Sequence, residues 1–129
     1  MSNDGTTSGP THRDAMLLLA VLNAPVGDLA RDGMELLWTF AEPPTLESFV
    51  QLHPVGSLGY RQVSALLTVG ERLGTFVKND VLHSGLTLDL VGLHAVWERC
   101  SALVWGLRTQ RDNPKLFENL EWIAQQSPS

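Results

Sequence analysis

His94 and Glu98 stand four positions apart, a spacing that puts an imidazole and a carboxylate on one side of any helix that contains them. Such a pair can hold a metal or trade protons with a substrate. Arg99 and Arg108 follow on the same segment and complete a candidate polar site: His94, Glu98, Arg99 and Arg108. A metal needs ligands from elsewhere too. The other two central histidines, His53 and His83, are isolated in loops, and no HExxH or CxxC pattern occurs. The expected role of the pair is therefore a hydrogen-bonded His-Glu contact beneath Trp105, with no metal, no cofactor and no catalytic residue.

The stretch VKNDVLHSGLTLDLV, Val77 to Val91, invites comparison with a calcium loop. Asp80 and Gly85 match the first and sixth positions, but Leu82 and Val91 fall on the third and twelfth, where an oxygen ligand and the bidentate carboxylate belong. Too few oxygens remain for a hard cation. The stretch reads instead as a turn between two helices, pinned to the core by Val81, Leu82 and Leu86, with Gly85 supplying the flexible point and Thr87 capping the next helix.

Cys100 is the single cysteine, so no disulfide can form within the chain, and its apolar surroundings predict a buried, unreactive thiol in a reducing compartment. No GxSxG, no phosphate-binding glycine loop and no P-loop lysine occurs. The formal charge is -5, and the nine Lys and Arg are scattered. That balance argues against phosphate binding as the main business, since nucleic-acid affinity comes largely from concentrated positive charge, so no nucleic-acid partner is expected. Of four tryptophans, Trp105 and Trp122 are the candidate interface anchors, because aromatic side chains off the main apolar face of a helix suit a protein partner.

These side chains must be carried by helices. With 43% hydrophobic and 18% charged residues in 129, the composition is that of one globular domain. Residues 1–10, rich in Gly, Ser and Thr, should be a disordered tail, and 126–129 should fray. Residues 11–125 form the single expected domain. Thr11 caps a first helix reaching Asn23, apolar on every side from Met16 to Leu22. A second runs from about Asp28 to before Glu42, and Thr45 caps a short third.

The fourth helix, about Ser57 to Asn79, has a full apolar half, inside which Gly70 and Gly74 imply close approach of a neighbouring backbone. A fifth runs from about Thr87 to Thr109 and carries small residues opposite its apolar face, as expected of a central element or half of a dimer interface. Asn113 and Pro114 open a last helix. The predicted fold is all-α: a single compact bundle of five or six helices, the two longest forming a helical hairpin. The longest apolar run, Ala15 to Leu22, is far short of the ~20 residues that span a bilayer. A cytoplasmic location without a membrane span is expected.

ERLGTFVKNDVL, the WERC at Trp97 to Cys100, and GLRTQRDNPKLFENLEWIAQ, in that order, resemble a family of small bacterial and phage-encoded helical domains, domain of unknown function 4760. The likeness covers about residues 34 to 125. It implies a helical fold and supplies no catalytic residues. Members often carry an N-terminal hydrophobic helix that tethers them to a membrane, whereas residues 15–22 here are shorter than such a helix.

These features point away from an enzyme and towards a protein-protein interaction module, with an unknown protein partner or self-association as the contact. A small enzyme or metal-binding protein using His94 and Glu98 is the alternative. The loop reading is testable: Leu82→Asp adds an oxygen ligand, yet it should lower the melting temperature and confer no calcium-dependent stabilisation in calorimetry with and without the ion.

Overall fold

The computed structural model describes residues 9–126. Among these, all regular structure is helical, in seven helices: α1 (His12–Asn23), α2 (Pro25–Trp38), α3 (Leu46–Leu52), α4 (Leu58–Lys78), α5 (Ser84–Leu90), α6 (Leu93–Gln110) and α7 (Glu118–Ala124). The expected tail, 1–10, lies outside the described residues apart from Gly9 and Pro10, and the expected frayed end, 126–129, apart from Gln126.

Local chemistry sets the helix starts. Thr11 and Asp14 form a reciprocal capping box, as do Thr45 and Ser48, and Ser57 caps α4 through its hydroxyl. The second helix starts earlier than expected because Pro25 occupies its first turn, where a missing N–H is harmless. It stops at Trp38 in a tightened last turn, where the Thr39 N–H and hydroxyl both donate to the Leu36 carbonyl, at 3.0 and 2.6 Å.

The expected fifth helix is two helices. Gly92 has φ -75 and ψ 63, and the Leu93 N–H donates 2.7 Å to the Val91 carbonyl, an inverse γ-turn that breaks the helix. With α5 interposed, the two longest helices do not make a direct hairpin, and the count rises from five or six to seven. Nor does Thr87 cap α5; it is fully buried, and its hydroxyl donates to the His83 carbonyl. His83 is the cap, its Nδ1 accepting 3.0 Å from the Leu86 N–H, which places any single ring proton on Nε2. Gly85 sits inside α5. The left-handed residue of the turn is Asp80, at φ 60, and of the three apolar pins Leu82 is buried, Leu86 half-buried and Val81 exposed.

Asn113 also differs from expectation. Its carboxamide oxygen accepts 3.1 Å from the Lys115 N–H, an Asx-turn that competes with a helix cap. Residues 113–117 therefore form turns, and α7 begins only after Phe117, which stands in the left-handed region at φ 59.

The core gathers on α4. Helix α2 packs most extensively along it, α7 lies across its C-terminal half, and α1 touches its flank. Both main joints use glycine. A Cβ at Gly33 of α2 would overlap the Gln62 carbonyl of α4, and one at Gly74 of α4 would overlap the Asn119 carbonyl at the start of α7. Gly70 similarly receives the Leu120 side chain. These close approaches answer the two interior glycines of α4. The first helix, apolar all round in sequence, buries only Leu18, while Met16 and Leu19 face solvent.

Asp14 does more than cap. One oxygen accepts 2.7 Å from the Thr11 N–H and the other 3.0 Å from the His83 N–H, tying α1 to the α4–α5 turn. The Thr11 backbone bond holds its carboxyl below the usual 3.8; burial opposes this, and the Thr11 hydroxyl and the His83 backbone reinforce it.

Two outcomes follow from the packing. Gly74→Ala should destabilise by about 1–3 kcal/mol in urea melts despite alanine's higher helix propensity, because the obstacle is backbone rather than a movable side chain. For Asp14, a depressed folded pKa means its contribution is complete above about pH 3.8 and is lost as pH falls through the folded value below that. The melting temperatures of wild type and Asp14→Asn should therefore converge only in that acid range.

Candidate functional site

Helix α6 carries most of the side chains with chemical potential, and its turn geometry distributes them over three sides. The inward side, Leu93, Val96, Cys100, Leu103, Val104 and Leu107, is buried. Burial pushes the Cys100 thiol up to about 12, so a thiolate nucleophile is not available there.

His94 and Glu98 project outward, with His94 Nε2 3.3 Å from Glu98 Oε1 and both side chains mostly exposed, 76% and 67%. His94 Nδ1 also donates 3.2 Å to the Ala124 carbonyl at the end of α7. A His-Glu contact this exposed contributes little, and it is the separate Nδ1 contact that ties the ring to the end of α7. Among the described residues, no group of three or more His, Cys, Asp or Glu comes together as metal ligands.

Arg99 and Arg108 leave that pair on opposite flanks. Arg99 Nη1 donates 2.9 Å to the Phe40 carbonyl, and its guanidinium lies 5.6 Å from the Trp38 ring centre. Arg108 is 4% exposed. Its Nε donates 2.8 Å to the Leu116 carbonyl, its guanidinium lies 4.6 Å from Trp105 and 5.8 Å from Trp97, and Nη2 stands 2.9 Å from Glu121 Oε1. The Nη2 contact is close but misaligned for a hydrogen bond, so the attraction there is coulombic. Arg99 thus fastens the end of α2 to α6, and Arg108 fastens both the 113–117 turns and α7, each using a backbone carbonyl and aromatic faces. The four candidate polar residues do not converge on one pocket.

A residue of α4 outside its apolar half, Glu71, has a role of comparable weight. Glu71 Oε1 accepts 3.0 Å from the Asn119 N–H and 2.9 Å from the Leu120 N–H. Phe117, the residue at the cap position of α7, offers no side-chain acceptor, so Glu71 supplies the missing cap from another helix and meets the positive helix end with a carboxylate. Asn119 Nδ2 donates 3.0 Å to Thr75 and Lys78 Nζ donates 3.4 Å to Asn119 Oδ1, extending the joint. Lys78 also lies 5.9 Å from the Trp122 ring centre, so Trp122 is half-buried under a cation rather than bare. The spacing Glu71, Thr75, Lys78 beside Gly74 was the available signal, legible only once the glycine's partner is known to be a helix start.

What remains open is the outer face of α6. Ala95, Glu98, Ala102, Trp105 and Thr109 recur at three-to-four spacing and are all exposed, Trp105 at 53%. At its N-terminal end the face runs into an open, largely apolar groove of about 380 Å³ lined by Met34, Glu35, Trp38, Gly92 and Ala95. A second, more polar cleft of about 560 Å³ lies between the start of α1 and the α4–α5 turn, lined by Thr11, Arg13, Asp14, Leu17, Asp80 and Val81. Both Asp14 oxygens that border it are already occupied by internal hydrogen bonds. No described helix is long and apolar enough to cross a membrane.

The two charged anchors of α7 can be separated by substitution. Glu71→Ala should cost about 1.5–3 kcal/mol, the range for hydrogen bonds to a charged group, and Glu71→Gln less, because an amide oxygen can still accept. Glu121→Gln leaves the buried Arg108 charge without its counter-ion and should cost about 2–3 kcal/mol, below the fully buried range because Glu121 is 29% exposed. Chemical denaturation checks both.

No curated protein and no solved structure matches this chain. A family model does, and over the region that holds the glycine joint of α4, the Glu71 cap, α6 and the Arg108–Glu121 pair. The model described as Domain of unknown function (DUF4760) matches residues 42–127, more than half of the chain, and the chain belongs to that family.

Proposed function

We propose that the chain is a non-enzymatic protein-contact module, working by self-association or with another protein, and that the outer face of α6 is its contact surface. The observation that carries this reading is the division of labour on α6. The arginines on its flanks are engaged in holding the fold, whereas Ala95, Ala102 and Trp105 face solvent beside an apolar groove. Small residues let another backbone approach closely, and a rigid aromatic side chain beside them is the usual type of anchor. Trp105 is the candidate anchor. Trp122, half-buried against Lys78, would belong to the rim.

Dispersed positive charge and an overall charge of -5 favour a protein over a nucleic acid as the contact. The lone, buried Cys100 is compatible with the reducing cytoplasm as its compartment. Catalysis or metal binding by His94 and Glu98 draws no support from their setting, since both are open to water and the arginines lie elsewhere.

Ala95→Arg tests the surface without disturbing the core, since Ala95 is exposed and lines the groove. The melting temperature should stay within about 2 °C, a surface substitution being worth less than ~0.5 kcal/mol. Association measured by light scattering at micromolar concentration, or recovery of a partner in pull-downs, should fall at least tenfold. A wild-type chain that is strictly monomeric and recovers no partner removes the reading, and association that survives Ala95→Arg moves the surface elsewhere.

A further inference from the structure

We draw no further inference here: the strongest candidate, the open face of α6 with the groove at Met34, Trp38, Gly92 and Ala95, belongs to the contact surface already proposed, and nothing in the structure shows what covers it.

Discussion

Close backbone approach to α4 is the constraint on which the remaining packing depends. Helix α2 meets it through Gly33 and α7 meets it at Gly74, and in each case an added Cβ would strike a carbonyl rather than a side chain. Glycine inside a helix costs roughly 1 kcal/mol relative to alanine, so each must be offset by contacts that only the close approach permits. At α7 those contacts include Leu120 and Ile123, both fully buried. A helix start brought that near needs its free N–H groups satisfied, because they are partly shielded from water there. Glu71 meets that need and could not do so across a wider gap.

The same economy explains the arginines of α6. A guanidinium can be taken out of water when its donors find carbonyls or carboxylates and its faces lie on aromatic rings. Arg99 reaches the end of α2 in this way, and Arg108 reaches both the 113–117 turns and α7. Side chains that could have formed an active site are thereby committed to closing the bundle. On the outer face of α6, Trp105 lends a ring face to Arg108 but stays 53% exposed, and Ala95 and Ala102 have no comparable task within the described residues, which is why this face bears the functional reading.

Short-range chemistry was the legible part. The Thr11, Thr45 and Ser57 caps lie within three residues of the groups they satisfy, and so do the proline and glycine signals around them. Errors arose where two local options compete. Asn113 can cap a helix or close an Asx-turn, and the periodicity of residues 87–109 does not reveal a γ-turn at Gly92. The same competition holds in the α4–α5 turn, where Asp80 and not Gly85 takes the left-handed conformation.

The candidate site was legible as a roster of residues and not as an arrangement. His94 and Glu98 are neighbours by helical spacing alone, so their contact could be foreseen. The sequence by itself determined the all-helical class, the starts of α1, α3 and α4, the apolar half of α4 and the burial of Cys100, because these follow from interactions within a turn or from periodicity. Only the tertiary structure decided that Glu71 caps a helix 48 residues away, that Arg108 is buried beside Glu121, and that α6 rather than α1 leaves an apolar groove open. Those outcomes depend on which helices meet and at what distance, and helical periodicity specifies a face without naming what covers it.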